Sequence, residues 1–201
     1  MPLIPLFPLE VVLFPGVPLP LHIFEPRYKE MMGECLRDRT EFGVVRVVND
    51  GIAAAGCTAA ILDVIKRYDD GRMDILSEGR RRFETIALDQ ERSFLRGEVA
   101  FFDDEPSEAS TTAAQRAIRL YLDLLALADV EAENPPEPGP NLSFLITSGL
   151  PLELDFKQQL LESRSEAKRI GLIVEYYESL VPRLKRALKA RKKSGGNGHA
   201  V

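Results

Sequence analysis

The chain has 201 residues, of which 45% are hydrophobic and 28% charged, and a formal net charge of −5. That balance excludes a disordered chain and leaves length for one large core or two small ones. Two cysteines, Cys35 and Cys57, are too few for a disulfide framework, so buried free thiols in a reducing cytoplasm are expected.

Residues 3–28 read LIPLFPLEVVLFPGVPLPLHIFEPRY, with prolines at 5, 8, 15, 18, 20 and 26. Proline excludes a helix here and argues against a central strand wherever one falls. A kinked ribbon of short apolar strands is predicted, with Leu9–Phe14 as its longest proline-free run. Neither leader nor membrane anchor is expected, because a basic n-region and an unbroken apolar run are missing and Glu10 and Glu25 sit inside. The ribbon is too apolar to bury whole, which directs attention to an exposed patch around Pro15, Gly16 and Phe24.

Pro26 suits the first position of a helix, and Tyr28, Met31, Met32, Cys35 and Leu36 form one apolar stripe along it. Strands are then predicted over Phe42–Val48, Gly56–Lys66, Arg72–Ser77, Arg80–Leu88 and Ser93–Phe102. Turn signals separate them at Asn49-Asp50-Gly51, Asp70-Gly71 and Glu78-Gly79. Short strands at hairpin spacing imply a small antiparallel barrel or curled pair of sheets with one inserted helix.

Asp103–Pro106 is a composition break. Beyond it, Ser107 and Glu108 read as a helix start, and Ala114, Ile118, Tyr121, Leu122 and Leu125 as a helical stripe. Residues 133–140 (ENPPEPGP) form a connector, followed by short helices near Leu142–Ile146 and within Pro151–Leu161. Ser163 and Glu166 read as a capping box for the longest helix, with a seam of Ile170, Val174, Tyr177, Val181, Leu184 and Leu188. Pro182 is expected to kink or restart that helix. The expected division is therefore 1–104 as a β-rich subdomain, 107–190 as a helical bundle and 191–201 as a flexible basic tail.

The charge is uneven along this chain. From Arg183 there are seven cations and no acid, while the 19 cations before it face all 31 acids, leaving −12 there. The terminal cations suit a helix closing against its own dipole. Without interleaved aromatic residues they make no platform for single strands, so a nucleic-acid partner is not expected.

Catalytic chemistry is sparse. His22 lies in the apolar ribbon, where a hydrogen-bonded histidine is expected rather than a base, and His199 lies in the tail. No spacing of His and Cys suits a metal, and a Gly-Lys phosphate loop is missing, so no cofactor and no ATP are expected. Ser165 and Lys168 match a serine–lysine spacing without its companion motifs, and Asn141-Leu-Ser143 is a glycosylation sequon that matters only in a secreted protein. What remains is Arg80, Arg81 and Arg82. Strand alternation would set Arg80 and Arg82 on one face and Arg81 on the other. They read either as a cationic lip for an acidic segment or as solvated edge arginines that discourage aggregation.

Several runs are linked in order: Pro5–Leu9 (PLFPL), Val12–Gly16 (VLFPG), Ile23–Tyr28 (IFEPRY), Phe42–Val45 (FGVV), Gly56–Ile65, Asp70-Gly71 with Ile75, and Glu78–Phe83 (EGRRRF). Leu150–Leu152 (LPL), Lys157-Gln158 and Leu160–Glu162 (LLE) continue the series. Together they resemble the LON N-terminal domain, the substrate-recognition domain of ATP-dependent Lon proteases, shared with cereblon-like proteins. The resemblance spans roughly residues 3–180. It implies a PUA-like β-barrel module joined to a helical bundle, a role in binding unfolded or tagged substrates, and help in assembling a hexamer. The expectation is a stand-alone, non-catalytic LON domain, since neither the nucleotide loop nor the serine–lysine protease domain is found. Its partners would be client polypeptides or a protease to which it presents them, with self-association left open and no membrane. A PUA-like protein for a small molecule or RNA is the alternative.

Overall fold

The computed structural model describes residues 1–49, 51–106, 109–132 and 134–195. Six strands and five helices are found among them. The strands are β1 (Leu3–Leu9), β2 (Pro18–Ile23), β3 (Phe42–Val48), β4 (Gly51–Arg67), β5 (Met73–Asp89) and β6 (Arg96–Phe101). The helices are α1 (Pro26–Asp38), α2 (Thr111–Leu127), α3 (Leu142–Ser148), α4 (Leu154–Glu162) and α5 (Glu166–Gly195). The chain divides into two compact units, one of Met1–Glu105 with Thr147–Arg164, the other of Pro106–Ile146 with Ser165–Val201. The span 107–190, expected as one helical subdomain, is thus shared between the two.

The strands lie in the order β2-β5-β4-β3-β1-β6, and β6 returns to pair with β5. Five strands therefore form a ladder closed on itself, with β2 outside on β5. The sheet is mixed, which corrects the antiparallel expectation: β1 and β3 run parallel from Leu6 opposite Gly43 to Leu9 opposite Arg46. Between them the chain makes β2 and α1, the crossover that a parallel pair requires. Leu6, Val45, Phe83 and Val99 fill the inside of the ladder.

The first strand lies in the proline-containing run, and the proline-free Glu10–Phe14 is not strand. Hydrogen bonds decide this. The Leu6 amide donates to the Leu95 carbonyl at 2.8 Å and the Val99 amide to the Pro2 carbonyl at 3.0 Å. Even-numbered residues of β1 therefore turn their backbone toward β6, and odd-numbered ones away from it. The missing donor of Pro5 points ahead of the first β1–β3 pair, toward the residues before β3, and Pro8 faces the β6 side beyond the last β1–β6 pair. Each missing donor falls on an unpaired edge. The same holds for Pro18 and Pro20: the Gly79 amide donates to Val17, so the even-numbered positions of β2 look outward.

β5 is one 17-residue strand rather than two, so Gly79 breaks nothing. A Cβ there would stand 2.1 Å from the Phe14 carbonyl oxygen. The bare backbone lets the turn at Pro15-Gly16 lie against the strand, held by Gly16 donating to the Gly79 carbonyl (2.8 Å) while Gly16 takes φ +74°. The β4–β5 hairpin turns at Asp70-Gly71 as the sequence implies, with Gly71 at φ +81°.

α1 begins at Pro26 and buries Tyr28, Met31, Met32 and Cys35, as its spacing predicts. α4 belongs to the first unit, where the Gln158 side-chain amide donates to the Ala55 carbonyl of β4 at 3.0 Å. In the second unit α2 packs on α5. Its cap is Ser110, whose Oγ accepts from the Ala113 amide at 3.2 Å; Ser107 and Glu108 lie outside the described residues, as do Asp50 of the predicted turn and residues 196–201 with His199.

The capping box at Ser163 and Glu166 is also corrected. Ser165 caps α5 through the Lys168 amide (3.2 Å), and Glu166 instead accepts from the amide (2.9 Å) and hydroxyl (2.7 Å) of Ser143. Arg169, fully buried, pairs with Glu166 at 2.6 Å and covers the Phe144 ring at 4.3 Å. α5 is continuous through Pro182, without a break there, and it runs to Gly195, into the stretch expected as tail. Ile170, Ile173, Tyr177 and Val181 are buried, but Leu184 and Leu188, expected in the seam, are each 37% exposed.

Candidate functional site

The six sequence-proposed residues do not converge. Pro15 is half-buried and Gly16 exposed in the turn against Gly79. Phe24 is 58% exposed just beyond β2, stacked 6.0 Å from the His22 ring. His22 is itself hydrogen-bonded, its Nδ1 2.5 Å from Asp74 Oδ1, and the Tyr68 hydroxyl donates to the other oxygen of that carboxylate at 2.9 Å. His22 first and Tyr68 second hold the Asp74 carboxyl below the usual carboxylate range.

The three arginines have three different situations. Ala59 pairs with Gly79 and Cys57 with Arg82, so β5 carries one residue more than β4 across this step. This β-bulge sets Arg80 and Arg81 together opposite Thr58, whose Oγ accepts from the Arg81 amide at 3.0 Å. The expected alternation fails for that reason: Arg80 and Arg81 are both exposed, while Arg82 is 5% exposed. Arg80 pairs with Glu78 on its own strand at 2.8 Å. Arg82 donates to the carbonyls of Leu161 (3.1 Å) and Ser163 (2.6 Å) at the end of α4 and to the Asp104 carboxylate, and its guanidinium lies 4.8 Å from the Phe102 ring centre. It clamps the first unit together and is no part of a surface lip.

Arg81 has no ion pair among the described residues. Its guanidinium lies over the Phe101 ring at 4.0 Å and lines a cavity of about 400 Å³ with Leu3, Ile4, Pro5, Thr40, Glu41, Thr58 and Phe101. All five strands of the closed ladder reach this cavity, or the residues next to them do: β1, the two residues before β3, β4, β5 and β6. It is the mouth of the ladder. Its origin is a parting of β1 from β3. Continued back from Leu6 opposite Gly43, the parallel register would set Ile4 against Glu41 and Leu3 against Thr40. Instead Leu3–Pro5 pair only with β6, and the fork so opened is the cavity.

The fork offers polar groups between apolar walls. By the parity of β1, the Leu3 amide and carbonyl face it without a ladder partner, while the Pro5 carbonyl is taken by the first β1–β3 pair at Gly43. Thr58 is buried and keeps a hydroxyl proton that no described residue accepts. Glu41 and Arg81 line the same space without pairing with each other. No local sequence signal marked Thr40 or Glu41. Pro5 was the one clue, since it tolerates only an unpaired edge.

No group of three His, Cys, Asp or Glu side chains comes together among the described residues. None of the described helices is long and apolar enough to cross a membrane. Cys57 is buried beneath the bulge, and burial pushes its thiol up to about 12.

Comparison with known proteins agrees with this architecture. Lon protease 1 of Hydrogenovibrio crunogenus is 28% identical over 186 residues, which are 85% of this chain and 23% of that protein. Lon protease 2 of Myxococcus xanthus is 27% identical over 191 residues, 86% of this chain and 23% of its own. The chain thus spans about a quarter of the length of these curated relatives. The crystal structure of a Lon N-terminal domain protein from Xanthomonas campestris superposes with a TM-score of 0.72 at 25% identity, covering 88% of this chain and 99% of that one. The N-terminal domain of Mycobacterium avium complex Lon protease shares the fold, with a TM-score of 0.70 at 17% identity over 88% of this chain and 98% of its own. The family model of the ATP-dependent protease La (LON) substrate-binding domain matches residues 3–178, and the chain belongs to that family.

Proposed function

We propose that this chain is a non-catalytic recognition module that binds polypeptide clients in an extended conformation. The observation that carries the reading is the fork between β1 and β3, where the Leu3 amide and carbonyl stand without a ladder partner beside apolar walls and Arg81. An extended segment can satisfy such groups by main-chain hydrogen bonds, as strand addition does elsewhere. The outer edge of β2 is a poorer template, because Pro18 and Pro20 remove the donors a client strand would need. Membership in a family of substrate-binding domains supports the same reading. Ser165, half of the serine–lysine spacing, is occupied as a helix cap. In this reading the closed ladder is the PUA-like barrel and the α2–α5 pair the core of the helical bundle that the resemblance implies.

The test is binding of an unfolded model protein, carboxymethylated and reduced, against the same protein folded, measured by fluorescence anisotropy on the purified chain. Retention of the unfolded form with a Kd at least tenfold tighter is expected. Equal, negligible affinity for both forms would refute the proposal.

A further inference from the structure

The fork is bipolar, and its two charges do not neutralise each other. An apolar client side chain needs neither charge, and the backbone of an internal peptide segment offers a guanidinium only neutral carbonyls, whereas a chain end adds an anion. The C-terminal residue of a polypeptide offers a carboxylate for a cation, an amide N–H for an anion, and a side chain for the walls. Arg81 is suited to the first task, since its guanidinium rests over the Phe101 ring at 4.0 Å and enters no ion pair among the described residues, and a guanidinium can grip a carboxylate with two N–H groups. The Thr58 hydroxyl is a second donor at the base, buried where water cannot compete freely. Glu41 supplies the acceptor, and the Leu3 carbonyl continues it along the strand. The volume of about 400 Å³ falls at the small end of ligand sites, enough for two or three residues rather than a folded surface.

We propose that the mouth of the closed ladder captures the free C-terminus of a polypeptide client, the terminal carboxylate on Arg81 and Thr58, the terminal amide on Glu41, and an apolar last side chain against Ile4, Pro5 and Phe101. This rests on the polypeptide-binding reading and narrows it to a chain end.

Fluorescence anisotropy with three labelled ten-residue peptides tests it: one ending in leucine with a free carboxylate, the same peptide amidated, and the amidated peptide with an internal aspartate. The 201-residue chain and its Arg81→Gln and Glu41→Gln variants are compared, with a thermal melt confirming that each is folded. Amidation is expected to weaken binding about tenfold or more, the scale of one lost charge-assisted contact. Arg81→Gln should weaken the free acid by the same factor and erase the difference between acid and amide. Glu41→Gln should weaken acid and amide alike. Equal affinity for acid and amide would overturn the C-terminal proposal while leaving peptide binding intact. Preference for the internal aspartate would overturn it in favour of an acidic side chain. Failure of every peptide, with unfolded protein still bound, would also overturn it; loss of both would remove the underlying reading.

Discussion

Three adjacent arginines with one chemistry and three environments make a sharp energetic comparison. Replacing Arg82 with alanine removes a guanidinium that is 5% exposed and leaves the Leu161 and Ser163 carbonyls and the Asp104 carboxylate without it. Hydrogen bonds to a charged group contribute roughly 1.5–3 kcal/mol each, though not additively. Removing one partner of a buried pair costs about 3–5 kcal/mol, the value expected here. Arg80→Ala breaks a pair with Glu78 whose side chains are 42% and 29% exposed, so about 0.5 kcal/mol or less is expected. Arg81→Ala loses its contact with the Phe101 ring and should cost less than about 1 kcal/mol. Urea unfolding followed by far-ultraviolet circular dichroism gives the three values. Amide exchange should show the Arg82 variant loosening first at Leu160–Arg164. An Arg82 variant within 1 kcal/mol of the Arg80 variant would refute the clamp, and with it the bulge as the reason these neighbours differ.

Gly79→Ala would drive a Cβ to 2.1 Å from the Phe14 carbonyl oxygen. The turn at Pro15-Gly16 must lift away, costing about 3 kcal/mol in chemical denaturation. The Cys57 thiol, pushed up to about 12 by burial, should resist a disulfide-exchange reagent at pH 8 until denaturant is added. The folded chain keeps that proton where the unfolded chain, with an ordinary value of about 8.5, loses it. Its contribution to stability is therefore complete below about pH 8.5 and falls away as pH rises toward about 12. Arg169→Ala leaves the Glu166 carboxylate, still hydrogen-bonded to Ser143, buried without its cation and should cost about 3–5 kcal/mol, whereas replacing Arg169 and Glu166 together by apolar residues should cost less, a comparison read from denaturation midpoints.

Local patterns were legible and pairings were not. α1 could be read from Pro26 and the stripe from Tyr28 to Cys35 because both signals act within one helix. The Asp70-Gly71 turn was readable for the same reason. The placement of β1 was not, since whether Pro5 and Pro8 can sit in a strand depends on which edges distant strands leave unpaired. Gly79 looked like a strand breaker because the Phe14 carbonyl that requires it is far away in sequence. Ser163 reads as the cap because Glu166 stands three residues on, but Glu166 accepts long-range bonds from Ser143 instead, and Ser165 takes the cap. The arginine cluster was noticed from composition, but its division into surface pair, cavity wall and buried clamp follows from one bulge that no local pattern announces. The family resemblance ran through the same motifs and covers the matched span.

The account depends most on a client reaching the fork between β1 and β3. Backbone amide spectra of the isotope-labelled chain, titrated with an unstructured peptide bearing a free C-terminus, address this residue by residue. Saturable shifts should concentrate at Leu3, Ile4, Thr40, Glu41, Thr58, Arg81 and Phe101. Shifts confined to the Phe24 and His22 face, or none at saturating peptide, would contradict it.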